Sequence, residues 1–253
     1  MSKLLSIYCF LKDERAVLPL TLPTWLPFLA EGGELVLVDT GSSDGSLEFA
    51  REVQRSCPAG LGIDVQVLER PWPVPTNWAA ITQESMGLCK RRWNLRIDAD
   101  EALSGDPRAF ASVLRNMEGL CNAQEEAFND GSFSSGLTPV AVGGLLLGII
   151  EPETGVHQYR SRLHRGAWTW RYRIDPCPVP PAGEEGGVFL LLQDWICHVI
   201  HTRASIRPEA LARMEGIYEL AQRLDGPLDA MAEAHYRNGI ERCRIWREKG
   251  EGK

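Results

Sequence analysis

The chain has 253 residues, of which 44% are hydrophobic and 24% are charged. This is the composition of an ordinary globular protein, and it excludes a disordered or fibrous chain. The 27 basic and 34 acidic residues leave a net charge of −7, which argues against a protein whose main task is to bind nucleic-acid phosphates. The length fits one large domain or two small ones.

The sequence predicts neither a membrane-spanning helix nor a signal peptide. Its longest apolar run, Val140 to Ile150, has about half of the ~20 residues that a spanning helix needs. The first ten residues lead into a charged segment without a small-residue cleavage site. The seven cysteines are odd in number and scattered, which predicts reduced thiols in the cytoplasm.

Four short apolar segments near the start of the chain have the composition of buried parallel strands. They are Leu4–Phe10, Glu34–Asp39, Asp64–Leu68 and Trp93–Ile97. Helices between them would complete the alternation that is typical of a doubly wound α/β sheet. In such a sheet, ligands bind at the carboxyl ends of the strands.

The connections between these strands differ in how clearly they predict helices. Pro19, Pro23 and Pro27 interrupt the first connection, so we expect a broken or irregular segment there. The sequences of the other two connections predict capped helices. Their expected spans are Ser46 (as the cap) to about Arg55, and Thr76 or Asn77 (as the cap) to about Cys89.

The pattern changes after Asp106, where helix, loop and strand signals no longer alternate regularly. We therefore predict one domain over residues 1–203 and a C-terminal helical extension over residues 204–253. The elements expected in this half are a helix over Pro107–Met117, a polar loop over Cys121–Leu137, a core strand over Val140–Ile150, two strands within Val188–His201, and a helical pair from Pro208 to about Trp246.

The tripeptide Asp98-Ala99-Asp100 follows an apolar strand and is the strongest chemical signal. Two carboxylates at this spacing can turn toward one hard cation, and oxygen ligands suit Mg²⁺ or Mn²⁺. Two unit charges 4 Å apart interact by ~4 kcal/mol at an effective dielectric constant of ~20, so carboxylates would repel a diphosphate unless a dication lies between them. The same residues can instead cap the following turn, and the tripeptide alone leaves both readings open.

Three blocks of sequence occur together in the order of a known family. They are Ser6–Glu14, which ends in Lys-Asp-Glu; Asp39–Ser46, which reads DTGSSDGS; and Ile97–Glu101, which reads IDADE. In order and spacing they resemble the family-2 glycosyltransferases of the GT-A fold. The resemblance implies a GT-A-type doubly wound mixed sheet, a nucleotide-diphosphate sugar as donor (most often a UDP-sugar), Mn²⁺ or Mg²⁺ as cofactor, and inverting transfer of a hexose.

The resemblance also implies roles for individual residues. Lys12 and Glu14 match the family's first loop, which touches the nucleoside. Asp39 matches an acid that hydrogen-bonds the base. Asp44 lies in the same turn and would either orient Asp39 or form only the entry into the following helix. Asp98 would face the ribose or the metal.

The metal ligands and one catalytic group are assigned in the same way. Asp100 would be the main metal ligand, and Glu101 would either bind the sugar or the acceptor or be a solvated charge. A downstream histidine often completes the site, which favours His198 and then His201. A histidine on an apolar strand is also a common core residue, and its spacing to the cysteines matches no closed zinc motif.

The acceptor side is expected in a basic, aromatic segment. Arg162, Trp168 and Trp170 resemble a family block in which aromatic rings cover sugars and arginines hold acidic groups. The general base that inversion needs would be Asp175, although relatives often have His-Glu there. Relatives also usually have an arginine at the position of Thr82.

These departures leave other functions open. The chain could bind a nucleotide-sugar or glycan without transferring it, or it could be a metal-dependent nucleotidyltransferase, although it lacks a glycine-rich phosphate loop with a following lysine. The acceptor, whether glycan, lipid-linked or protein, is not defined. The helical pair could cover the sheet, pair with a second copy or rest on a membrane surface. Without a strongly basic face, the first two are favoured.

Overall fold

The computed structural model describes residues 4–30, 32–57, 61–72, 76–129, 142–151, 156–166, 169–171, 177–179, 188–201, 208–225, 228 and 230–251. Within these residues the strands are β1 (Leu5–Leu11), β2 (Glu34–Asp39), β3 (Asp64–Glu69), β4 (Trp93–Arg96), β5 (Glu101–Gly105), β6 (Val142–Glu151), β7 (Val156–Arg165), β8 (Thr169–Arg171), β9 (Cys177–Val179), β10 (Val188–Leu191) and β11 (Cys197–His201). The helices are α1 (Leu18–Leu29), α2 (Ser46–Ser56), α3 (Trp78–Gly87), α4 (Pro107–Asn129), α5 (Pro208–Leu224) and α6 (Ala230–Glu251).

The chain divides into two compact units. The first comprises Met1–Pro71, Ser85–Thr169 and Pro180–Thr202, and it contains the large sheet. The second comprises Trp72–Glu84, Trp170–Val179 and Arg203–Lys253, and it contains α5 and α6. The predicted boundary at residues 203/204 lies beside the start of the last of these segments.

The large sheet is mixed. In the part of the chain described, its strand order is β3-β2-β1-β4-β7-β6-β11-β5, with β10 also paired to β6. Strands β1, β2, β3 and β4 all run parallel to one another. Strand β7 runs antiparallel to both β4 and β6. Strand β11 is parallel to β6 and antiparallel to β5. The predicted α/β class, with a mixed sheet and a C-terminal helical pair, is confirmed.

The core of the first unit lies on one face of this sheet. Alternate residues of β1, among them Ile7 and Cys9, are fully buried in it with Trp25 of α1 and Phe110 of α4. Their burial is what the apolar strand pattern predicts, because a parallel strand covered by helices needs apolar side chains. The second unit has its own small cluster around Tyr236.

The prediction of a broken segment at Pro19, Pro23 and Pro27 is wrong, because α1 is a continuous helix through all three. Pro19 lies in the first turn, where a backbone N–H would have no helical partner. Pro23 and Pro27 are exposed, so water can reach the carbonyl groups that these prolines leave without a donor.

Tertiary contacts on the opposite face of α1 stabilise this proline-rich helix. The hydroxyl of Thr21 donates to the carbonyl oxygen of Ala99 at 2.7 Å, and the indole N–H of Trp25 donates to that of Glu101 at 2.8 Å. Both side chains are fully buried. Packing therefore outweighs the low intrinsic helix propensity of the segment.

The helix termini also differ in part from the predictions. The cap of α2 is Gly45, with φ of +90°, and Ser46 is the first helical residue. The cap predicted at Asn77 is confirmed, since its Oδ1 accepts the backbone N–H of Ala80 at 3.0 Å. Glycine suits the cap position of α2 because a residue with a side chain is strained at positive φ.

Helices α4 and α6 are longer than predicted, and strand β5 is an additional element. Helix α4 continues to Asn129, so the loop predicted to begin at Cys121 is wrong over that part, and the rest of the predicted loop lies outside the described residues. Helix α6 runs to Glu251 rather than ending near Trp246. Strand β5 was not predicted, because its first residue, Glu101, reads as the end of the acidic motif.

Candidate functional site

Asp39 and Asp98 lie at the same edge of the sheet, on either side of β1. Leu11 pairs with Asp39 in the parallel register of β1 and β2, and Tyr8 pairs with Arg96 in that of β1 and β4. Asp98 follows Arg96 by two residues, as Phe10 follows Tyr8, so the backbones of Asp39 and Asp98 lie about one residue row apart. With two strand spacings between them, they are about 10 Å from each other.

The buried thiol of Cys9 is influenced by acidic residues from two segments. Burial of this thiol raises its pKa well above the usual value, and nearby negative charges raise it further. Four carboxylates supply these charges: Asp98, Glu14, Glu101 and Asp100. The loop after β1 and the turn after β4 therefore both contribute negative charge in the surroundings of Cys9.

The loop after β1 is locked to the loop after β2. The ammonium group of Lys12 donates to the carbonyl oxygen of Gly41. The backbone N–H of Ser43 donates to Oδ1 of Asp13 at 2.7 Å, and that of Glu14 donates to the Ser46 hydroxyl at 2.7 Å. These contacts hold the two predicted nucleotide loops in one fixed arrangement.

Asp39 is almost completely buried where β2 ends, with 2% of its surface exposed. Its Oδ2 accepts the backbone N–H groups of Gly41 at 2.9 Å and Ser42 at 3.0 Å, and Gly41 reaches this position with φ of +96°. Its Oδ1 is buried and accepts no hydrogen bond from the described residues. Almost all buried carboxylate oxygens in proteins have a donor, so this atom requires an explanation.

Asp44 has a mainly local role. Its carboxylate accepts the hydroxyl and backbone N–H of Ser46 and, at 2.9 Å, the backbone N–H of Arg15. Desolvation alone would raise the pKa of Asp44, but the hydrogen bonds from Ser46 and Arg15 outweigh it and lower that pKa. The carboxylate therefore stays ionised and fixes the entry into α2.

Asp98 is held between two arginines. Its Oδ1 lies 3.2 Å from Nη2 of Arg96, and its Oδ2 lies 3.1 Å from Nη2 of Arg162. The two arginine side chains are about nine-tenths buried, while that of Asp98 is 32% exposed. Desolvation would raise the pKa of Asp98, but the positive charges of both arginines and their hydrogen bonds hold it well below its usual range.

Glu101 is fully buried beside this pair. Its Oε1 lies 2.7 Å from Nη2 of Arg162, and its Oε2 accepts the backbone N–H of Asp98 at 2.8 Å. His164 is also fully buried, and desolvation together with the charges of Arg96 and Arg162 lowers its pKa to about 3. The imidazole is therefore neutral at physiological pH, and two carboxylates balance the two guanidinium groups.

The described residues do not form a ready metal site, although their oxygens suit Mg²⁺ or Mn²⁺. Among the residues that the structure describes, no group of three or more His, Cys, Asp and Glu side chains is placed to hold a metal ion. Both oxygens of Asp98 contact guanidinium groups, and those of Glu101 contact Arg162 and a backbone N–H. Asp100 is half-buried in the turn between them.

The histidine predicted as third ligand lies along β11. His198 pairs with Ser104 of β5, whereas His201 pairs with Glu101. The backbone of His201 is therefore the nearer one to the acidic turn, and His198 is about 10 Å further along the strand. The Nδ1 atom of His198 lies 2.7 Å from the carbonyl oxygen of Asp194, so this nitrogen carries a proton.

Of the predicted acceptor-side residues, Arg162 and Trp170 lie among the described residues. Arg162 belongs to the buried ion-pair network, and Trp170 is half-buried in the second unit. Trp168 and Asp175 lie outside the described residues. Thr82 is fully buried.

Arg96 was missed by the sequence analysis. Its signal was an arginine on a short, otherwise buried strand, two residues before the acidic motif. A buried arginine requires a carboxylate partner, and the nearest candidates follow it directly in the sequence.

No family model and no curated protein matches the sequence. Among solved structures, TarS of S. aureus is similar over 94% of this chain and 42% of its own, with 13% identity and a TM-score of 0.46. Its 1–349 form in complex with UDP is similar over 69% of that chain, with the same identity and TM-score. The Pyrobaculum calidifontis mannosyltransferase PcManGT, in complex with GDP-Man and Mn²⁺, is similar over 97% of this chain and 74% of its own, with 12% identity and a TM-score of 0.48.

This chain thus spans less than half of the full TarS structure. Within the described residues, no helix has the length and apolar character needed to cross a bilayer.

Proposed function

We propose that this protein transfers a sugar, with inversion, from a nucleotide-diphosphate sugar to an acceptor hydroxyl group. A UDP-sugar is the first donor to test. The observation that carries the proposal is Asp39, whose Oδ1 is buried at the carboxyl edge of the sheet and has no donor among the described residues. Its other oxygen is fixed by two backbone N–H groups, so the carboxylate cannot easily rotate away.

A nucleobase would supply the missing donor. A buried oxygen without a partner costs about 1–3 kcal/mol, and a hydrogen bond to an ionised group is stronger than a neutral one. Uracil has one ring N–H between two carbonyl groups, and guanine also has a ring N–H. The loops around Asp39 already lie in a fixed arrangement, so little order would be lost when a base binds.

A divalent cation remains part of the proposal as a predicted requirement. A diphosphate brought to this edge meets the carboxylates of Asp98, Asp100 and Glu101, which follow β4 directly in the sequence. An added cation would lower this repulsion. Nucleotide binding measured in EDTA and in Mn²⁺ tests the requirement separately from the donor assignment.

The catalytic groups are assigned more narrowly than in the sequence analysis. Glu101 is fully buried and holds Arg162 and the backbone of Asp98, so its role is to position these groups. The general base stays assigned to Asp175 as a prediction. An Asp175→Asn variant that transfers sugar at the wild-type rate would contradict this assignment.

Calorimetric titration with UDP and GDP tests the donor proposal. In Asp39→Asn, an amide N–H would face the ring N–H of the base, so we expect at least about tenfold weaker nucleotide binding. Asp64→Asn is the matched control, because Asp64 begins β3 at the opposite edge of the sheet. Equal nucleotide affinity in Asp39→Asn and wild type would contradict the proposal.

Binding without transfer is the second candidate function. The commitment of Asp98 and Glu101 to arginines favours it, since these groups are less available for chemistry. Nucleotide binding without donor hydrolysis or transfer over a broad acceptor panel would support this candidate. Measured turnover of a donor sugar would exclude it.

A further inference from the structure

We propose that Asp98 is a positioning residue that holds Arg96 and Arg162, and that it does not ligate a divalent cation. The proposal rests on the proposed function only in taking this edge of the sheet as the donor site. It departs from the role that the Asp98-Ala99-Asp100 motif predicts for its first residue.

Each oxygen of Asp98 has its own guanidinium partner. Oδ1 lies 3.2 Å from Arg96 and Oδ2 lies 3.1 Å from Arg162, and the two arginines come from neighbouring strands, β4 and β7. Mg²⁺ binds oxygen at about 2.1 Å, so a cation on either oxygen would be forced close to a guanidinium group of the same charge. A metal on either oxygen would therefore have to share that oxygen with a guanidinium group.

The arginines cannot leave Asp98 without cost. Their side chains are only 11% and 10% exposed, so they cannot regain full hydration where they lie. A cation that captured Asp98 would leave buried positive charge with less compensation, which is strongly destabilising in proteins. Arg162 would keep Glu101 as a partner at 2.7 Å. The cost in stability would therefore come mainly from the changed charge balance of the whole network.

The network also fixes the turn that contains Asp100. The backbone N–H of Asp98 donates to Glu101, the backbone N–H of Glu101 donates to the carbonyl oxygen of Asp98 at 3.0 Å, and Thr21 donates to the carbonyl oxygen of Ala99. The residues on both sides of Asp100 are therefore anchored. In this arrangement Asp98 works through its neighbours, and the assignment of Asp100 as a cation ligand stays a separate prediction.

The experiment compares Asp98→Asn with Asp100→Asn by two readouts. The first is the midpoint of thermal unfolding without metal or nucleotide, and the second is Mn²⁺ affinity by electron paramagnetic resonance, with and without UDP. We expect Asp98→Asn to lower the midpoint by at least about 5 °C and Asp100→Asn to leave it nearly unchanged. We expect Mn²⁺ affinity to change by less than about threefold in Asp98→Asn and to fall at least about tenfold in Asp100→Asn. A wild-type protein that binds no Mn²⁺ would also support the proposal, since Asp98 would then have no cation to ligate.

The variant Arg96→Met separates the two roles of Asp98. If Asp98 only positions arginines, this variant keeps Mn²⁺ affinity within about threefold of wild type. In the Asp98→Asn background, Arg96→Met should restore part of the unfolding midpoint, because it removes the surplus positive charge. The same double variant decides the case in which Asp98→Asn lowers both the unfolding midpoint and the Mn²⁺ affinity. If the double variant recovers both quantities, the proposal is supported. If it recovers only the midpoint, the proposal is overturned.

Two further results would overturn the proposal. One is an Asp98→Asn protein with a wild-type midpoint and at least about tenfold weaker Mn²⁺ binding. The other is a rise of about tenfold in Mn²⁺ affinity in Arg96→Met, which would show that a metal competes for Asp98. Failure of the wild-type protein to bind UDP or GDP would contradict the proposed function and would leave the unfolding midpoints as a test of this role.

Discussion

Nη2 of Arg162 lies 2.7 Å from Oε1 of Glu101, a residue 61 positions earlier in the chain. Glu101 is fully buried and the Arg162 side chain is 10% exposed, so the pair lies almost entirely out of water. A buried charge that loses its partner is strongly destabilising, whereas an exposed pair contributes little. This contact ties β7 to the beginning of β5 and to the acidic turn.

We therefore expect Glu101→Gln to lower the free energy of unfolding by about 3 kcal/mol, measured by urea denaturation. The control is Glu69→Gln, which breaks the exposed pair between Arg51 and Glu69. This substitution should change the free energy of unfolding by less than about 0.5 kcal/mol. Equal effects of the two substitutions would contradict the importance of the buried network.

The buried His164 should make the protein less stable in mild acid. The pKa of His164 falls from 6.5 to about 3 on folding, because burial and the charges of Arg96 and Arg162 disfavour the imidazolium form. Between these two values the unfolded chain carries one more proton than the folded protein. The free energy of unfolding therefore decreases as the pH falls from about 6.5, by up to about 1.4 kcal/mol per pH unit from this group.

Urea denaturation at several pH values between 4 and 6.5 measures this effect. His164→Gln removes the titrating group and should make the dependence on pH shallower, whatever its effect on stability at pH 7. The low pKa of Asp98 acts in the same direction, but below its ordinary value of 3.8, and so outside this range. An unchanged slope in His164→Gln would mean that His164 is not the group responsible.

The parallel half of the sheet was predictable from the sequence because its signals are local. Glu34–Asp39 is a run of residues that are all buried in β2, and such a run needs no knowledge of its neighbours to be identified. The turn after β2 carries glycine, serine and aspartate, which favour turns for reasons of backbone geometry. These local features are sufficient to predict that Asp39 and Asp98 lie at one edge of the sheet.

The contacts that decide chemistry at this edge could not be predicted in the same way. The pairing of Asp98 with Arg162 depends on β7 running antiparallel beside β4, and the two residues are 64 positions apart. The continuous helix α1 likewise depends on Thr21 and Trp25 finding carbonyl oxygens that come about 76–78 positions later, where tertiary packing outweighs local propensity. The motif identified Asp98 and Glu101, but their arginine partners are determined by the order and direction of the strands in the sheet.

A last prediction concerns the end of β5, where Gly105 has φ of +132°. A Cβ atom at this position would overlap the carbonyl oxygen of Ile196 and would lie 2.9 Å from Cα of Cys197. Both are backbone atoms of the segment that leads into β11, so they cannot move aside as a flexible side chain would. Gly105→Ala should therefore disturb the pairing of β5 with β11 and lower the free energy of unfolding by about 2 kcal/mol or more.

The matched control is Gly119→Ala in the exposed middle of α4, where a new Cβ would meet nothing within 4 Å. Alanine is the better helix former there, so this variant should be more stable than wild type by about 0.5–1 kcal/mol. Urea denaturation of both variants gives opposite signs if the two positions act as described. A Gly105→Ala protein as stable as wild type would mean that β5 can shift away from β11, and the register that aligns Glu101 with His201 would then not be rigid.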